Sequence, residues 1–222
     1  MKAINETMTH VREKPLLVTL ENARAIDLGK KTLTRRLSGL KKVNFDPHNW
    51  IYKGQNFEGE HIFWPSWTDK PFATDCIHLV CPFGNQGDHL WVREPWKTLK
   101  CWDDTKPSEL PDGAPMEYLA GGMNVAGLKG LVNPGKYRHA RFMCRRMSRT
   151  LLEIVKIRAE RLQDISREDC MKEGVPYTEM PMVDNVRDKF KNNIWNSING
   201  PNSWDQNPWI WRIEFRRIKN DD

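Results

Sequence analysis

Apolar and polar positions alternate most cleanly at the end of the chain. Residues 208–218 (PWIWRIEFRRI) put Trp209, Trp211, Ile213 and Phe215 on one face and Arg212, Glu214 and Arg216 on the other, the pattern of a strand with one buried side. Residues 150–162 (TLLEIVKIRAERL) alternate over a longer span, with Leu152 and Ile154 on one face and Val155, Ile157 and Ala159 on the other. Near the start, 15–20 (PLLVTL) reads as a short buried strand, and 21–30 (ENARAIDLGK) as a helix that Gly29 ends in the left-handed conformation. From Lys31 the period returns to two: Thr32, Thr34 and Arg36 point one way, Leu33, Arg35 and Leu37 the other. Two further strands, 77–80 and 89–94, flank a turn at 82–88, and 116–120 is compatible with a strand.

Helical signals are concentrated in the second half. Ser166 caps a short helix, with Asp169 three residues on and Gly174 closing it. Glu173 falls in its last turn, where the macrodipole disfavours a carboxylate, so a specific role is expected of it. Residues 186–199 form a helix ended by Gly200, with Phe190, Ile194, Trp195 and Ile198 as its apolar stripe. Periodicity is lost over 38–74, which is either a long insertion or an irregular pair of strands, and over 97–135, which is rich in Pro and Gly. Residues 1–14 read as a polar leader, and no internal repeat is present. Short strands around a few short helices, the last returning beside the first, predict one α+β domain over 15–218 built as a small mixed barrel.

Composition narrows this picture. A length of 222 residues suits one good core, and the 39% apolar content contains no run able to cross a bilayer and no apolar signal core near the N-terminus. A cytoplasmic location is therefore expected, and five Cys without a regular framework agree with a reducing compartment. The net charge of +6 favours a polyanionic partner, and the ten Trp supply core mass together with flat faces on which bases stack.

Candidate chemistry begins at residues 29–36 (GKKTLTRR), which gather four Lys and Arg and two Thr after the first helix and invite an anion. The segment is not a phosphate-binding loop, because Arg24 stands where that motif needs Gly and Lys31 where it needs Ser or Thr. Cys76, His78, Cys81 and His89 are zinc-ligand types, but no second close pair accompanies them, so no metal or other cofactor is expected. The run 138–149 interleaves five Arg with Phe142, Met143 and Cys144; such a run either lines a groove that follows a phosphate backbone or is an exposed basic segment.

Four motifs, in this order, resemble a known family. Gly29-x-Lys31-Thr32-x-Thr34-x-Arg36 follows the first strand and helix, and residues 87–94 (GDHLWVRE) lie in the middle. The stretch 162–166 (LQDIS) leads to Glu173-Gly174, and Trp195 to Ile198 precedes a closing Trp-x-x-x-Phe strand. Together they resemble the ASCH domain, and more closely the Trp-rich ASCH-domain proteins of bacteriophages and prophages, over about residues 15–218. The resemblance implies a PUA-like β-barrel related to RNA-binding domains. Some small ASCH proteins are amidohydrolases that deacylate N4-acetylcytidine, which implies a site of Lys31, Thr34 and Glu173, with Arg36 holding a carbonyl oxygen or phosphate. This chain is about twice the size of those compact enzymes, and Cys144 and Met147 stand where the phage relatives commonly carry Pro and Trp. Three function classes follow: a hydrolase of N4-acylated nucleosides; a non-catalytic module that holds single-stranded RNA or a modified base through Arg36, Arg93, Arg145, Arg146 and Arg149; and a phage assembly or host-takeover factor.

Overall fold

A computed structural model describes residues 11–70, 72–121, 130–175 and 186–218. Most of the leader expected over 1–14, and the Gly-rich centre of the second loop, lie outside them. Strand β1 (Glu13–Leu17) leads into helix α1 (Leu20–Asp27), whose first turn is capped by the Thr19 hydroxyl accepting from the Asn22 amide. Gly29, at φ 68°, ends the helix and turns the chain into β2 (Leu33–Arg36). A short helix α2 (Lys41–Asn44) follows.

The aperiodic first stretch holds strands β3 (Trp50–Gln55) and β4 (Glu60–Pro65), which pair with β5 (Ile77–Val80) in a three-stranded sheet. The β3–β4 register shifts between Tyr52 and Gly54, yet exposed and less exposed positions alternate along β3 from end to end. Strand β6 (His89–Arg93) runs parallel to β1 and antiparallel to β9 (Leu151–Arg161), which pairs with β10 (Trp209–Arg217). Between them β7 (Trp96–Lys97) and β8 (Glu117–Tyr118) make a two-stranded ribbon.

The main sheet is ordered β1-β6-β9-β10-β2. Among the described residues β1 and β2 are its edges, so the expected barrel is an open, mixed sheet faced by a smaller one. The architecture is α+β with several sheets and short helices, and no described helix is long and apolar enough to cross a membrane.

Three apolar clusters hold the elements. The largest lies between the two sheets and α1, where Trp209, Trp211, Ile213 and Phe215 of β10 meet Phe63 of β4. On β9 the parity read from the sequence changes: Leu152, Ile154, Ile157 and Ala159 all enter this one core. The β9–β10 register shifts after Glu214, so Val155 is squeezed out as an exposed bulge and the residues beyond it change face. A second cluster, on the opposite side of β10 at Ile210, joins Cys170 of α3 (Arg167–Lys172) to Val186, Phe190, Trp195 and Trp204. A third, Trp96 with Leu110, Met116, Tyr118, Met143 and Met147, gives the 97–147 region its own apolar anchor.

The helix expected over 186–199 is present in three pieces. Helix α4 (Val186–Lys189) and helix α5 (Asn196–Asn199) are separated by a π-helical turn, Phe190–Trp195. The turn keeps Phe190 and Trp195 buried together, with ring centroids 6.4 Å apart, and leaves Ile198 half exposed.

Candidate functional site

The head of β2 meets the end of α3. Lys31 and Glu173 form an antiparallel bridge just outside the regular elements, and the Thr32 amide donates to the Lys172 carbonyl at 2.9 Å. Gly174, at φ 91°, lets the chain leave α3 against α1; a Cβ there would lie 3.2 Å from the Ala25 methyl. Two residues 142 positions apart are thereby locked side by side.

The Lys31 ammonium donates to the Glu173 carboxylate at 2.5 Å and to the Glu173 backbone carbonyl at 2.9 Å. Each residue is only 2% exposed. This contact explains the carboxylate at the unfavourable end of α3, because a cation seated there neutralises both the carboxylate and the helix end. Burial pushes the Lys31 amine below its ordinary value, against the opposing pull of Glu173.

Behind Glu173 stands an ion network that alternation alone did not indicate. Arg35 reaches Glu173 at 3.3 Å, Glu160 at 2.7 Å and Asp169 at 2.6 Å, and Arg212 grips both oxygens of Asp169 at 2.8 Å. Arg35 and Arg212 face each other across the β2–β10 ladder, a like-charge pair that the carboxylates between them make tolerable. Burial alone would raise the Asp169 carboxyl, but hydrogen bonds from Arg212 and Arg35 hold it well below the usual carboxylate range. The sequence signal for this network was slight: Asp169 reads as a capping-box residue, and the pairing of Arg35 with Arg212 is a tertiary fact.

In front of the pair lies a cavity lined by Lys31, Thr34, Arg36 and Glu173 on the strand side and by Phe190, Ile194 and Trp195 of the π turn on the other. Asn22 of α1 and Asn199 of α5 stand at its margins. About 60 Å³ of it is open to the centres of water molecules, room for about four waters. Thr34 is 3% exposed. The Arg36 Nε is buried with no hydrogen-bond partner among the described residues, as are those of Arg35, Arg93 and Arg138, and burial pushes the Arg36 pKa down while the Glu173 charge opposes the shift. A guanidinium without a bound carboxylate beside a cavity is a receptor for an oxygen that the protein does not supply.

The remaining arginines of the expected binding set lie elsewhere. Arg145 is bidentate on Glu13, and Arg146 bonds Asp112 and the Leu110 carbonyl. Arg149 is shared between Glu94 and Asp27, and Arg93 lies 5.5 Å from the Trp91 ring. The basic run 138–149 thus fastens the 97–147 region to the main sheet, because nearby carboxylates take up its charge. Of the Trp residues, Trp96, Trp195, Trp204, Trp209 and Trp211 are buried, whereas Trp67 is exposed. Among the described residues no three His, Cys, Asp or Glu side chains gather as a metal would need. Burial raises the Cys81 and Cys170 thiols to about 12 and about 11, and His78 bonds Glu60.

The chain matches no protein-family model, no curated protein and no solved structure.

Proposed function

We propose that this protein is a PUA-like ASCH protein whose cavity takes an N4-acylated cytosine ring and hydrolyses its amide. The observation that carries the reading is the buried Lys31–Glu173 contact on the wall of a small cavity that Thr34 and Arg36 also line. Amide hydrolysis needs a nucleophile, a proton acceptor and positive charge where the oxyanion develops. A hydroxyl, an amine of lowered pKa and a guanidinium whose Nε has no hydrogen-bond partner among the described residues would meet those three requirements.

In this scheme the Lys31 ammonium first gives a proton to Glu173, and the neutral amine takes the proton of Thr34 Oγ1 as that oxygen attacks the acyl carbonyl, with the developing oxyanion on Arg36. Collapse breaks the C–N bond, and Lys31 returns the proton to the leaving cytosine amine. Glu173 gives its proton back to Lys31 and then takes one from water as that water attacks the acyl–Thr34 ester; the ester C–O bond breaks, the free acid leaves, and Glu173 returns the proton to Thr34 Oγ1. Phe190 and Trp195 form the apolar side of the cavity.

The test is incubation of the wild-type protein with N4-acetylcytidine and other acylated nucleosides while released cytidine is followed chromatographically. Thr34→Ala is expected to lower release by at least about a hundredfold with an unchanged thermal midpoint. An inert wild type, or a Thr34→Ala variant as active as the wild type, would overturn the proposal.

A further inference from the structure

Donors outnumber acceptors on the walls of the small cavity. Lys31, Arg35 and Arg36 line it against one carboxylate among the described residues, Glu173, whose oxygens Lys31 and Arg35 already engage at 2.5 and 3.3 Å. Three N–H groups of lining residues are buried with no hydrogen-bond partner among the described residues: Arg35 Nε, Arg36 Nε and Trp195 Nε1. Indole and guanidinium nitrogens only donate, so none of the three can satisfy another. Arg35 has carboxylates for its other nitrogens, Glu160, Asp169 and Glu173, whereas Arg36 has no ion pair among the described residues.

The π-helical turn Phe190–Trp195 supplies the facing wall. Trp195 is 2% exposed, so its indole N–H is fixed deep in the protein without an acceptor, a cost that a bound oxygen removes. Phe190 and Ile194 of the same turn give the cavity an apolar side. The room is that of about four waters. A ligand that matches these walls is an anion, accepts on more than one oxygen, ends in a small apolar group and has about as many heavy atoms as the cavity has room for waters.

We infer that the cavity binds a short free carboxylate the size of acetate, its oxygens on Arg36 Nε and Trp195 Nε1 and its methyl against Phe190 and Ile194. Phosphate and sulfate are bulkier and lack the apolar end, and longer carboxylates overfill the space. The site calls on donors and an apolar wall, not on Thr34 as a nucleophile, so it goes beyond the hydrolytic reading and stands without it. Its occupant takes the position assigned above to the reacting carbonyl oxygen.

The experiment is a saturation-transfer NMR titration of the wild-type full chain with acetate, at an ionic strength held constant with chloride. Saturable binding is expected with a dissociation constant of about 10 mM or tighter, within what so small a ligand can reach. Butyrate and inorganic phosphate, followed by their displacement of acetate, are expected to bind at least about tenfold more weakly. Trp195→Phe keeps an aromatic ring and removes the N–H, and Arg36→Gln removes the guanidinium. Each is expected to weaken acetate at least about tenfold; Arg36→Gln carries the test if Trp195→Phe does not fold. Absence of saturable acetate binding, phosphate or butyrate binding as tightly as acetate, or an affinity unmoved by Arg36→Gln would overturn the inference. No acylated nucleoside enters the titration, so each of those results leaves the deacylation reading to be decided by cytidine release.

Discussion

The central contact is between one amine and one carboxylate. Lys31 and Glu173 are both almost fully buried, and each satisfies the other at 2.5 Å, so removing either strands a charge in a poorly solvating place. Glu173→Gln keeps the size of the side chain and removes its charge, so burial acts on the Lys31 amine with less opposition and its pKa falls further. Because Gln cannot take a proton from Lys31 or from water, the expected outcome is loss of turnover in a folded protein, measured as cytidine release beside a circular dichroism melt. Asp169 carries a different load, since Arg35 and Arg212 both depend on it. Asp169→Ala is expected to cost about 3–5 kcal/mol in a urea unfolding series, because two buried guanidinium groups then share fewer carboxylates. A loss under about 1 kcal/mol would show that the network contributes little to stability.

At the level of elements, the site depends on a strand head, a helix end and a π turn meeting at one point. Helix α3 has only six residues, so its cap matters: the Ser166 hydroxyl accepts from the Asp169 amide at 3.1 Å. Ser166→Ala is expected to cost about 1 kcal/mol by the same unfolding measurement, and to loosen Glu173 at the far end of the helix. Much of this was legible in the chain. Gly29, Ser166 and Gly174 marked their boundaries, and the inward face of β10 followed from its alternation. Other parts were not legible, for physical reasons. The Val155 bulge reverses parity without changing composition, and a π turn differs from an α turn by under one residue, too little for an apolar stripe to register. Arg35 read only as sharing a strand face with Leu33 and Leu37, because nothing local announced that α3 and the π turn cover that side.

For the whole molecule, the main core contains a titration point. His61 of β4 is fully buried, its Nδ1 is 2.9 Å from the Tyr52 hydroxyl, its ring centroid is 4.5 Å from that of Trp211, and its Nε2 has no partner. Burial pushes its pKa down to about 4 from 6.5. Between those values the unfolded chain binds a proton that the folded one does not, so stability is lost as pH falls from about 6.5 to about 4 and levels off below. The loss is about 3 kcal/mol, and His61→Phe is expected to flatten that part of a stability profile measured by urea unfolding at stepped pH. A wild-type profile level across that window would contradict the assignment.

The central claim is that the cavity faced by Lys31, Thr34, Arg36 and Glu173 receives an acylated nucleobase. It is tested most directly by titrating N4-acetylcytidine into the wild type and the Thr34→Ala variant. Saturable one-to-one binding to both, with cytidine appearing only in the wild-type sample, is the predicted result. No saturable binding to either protein would contradict it.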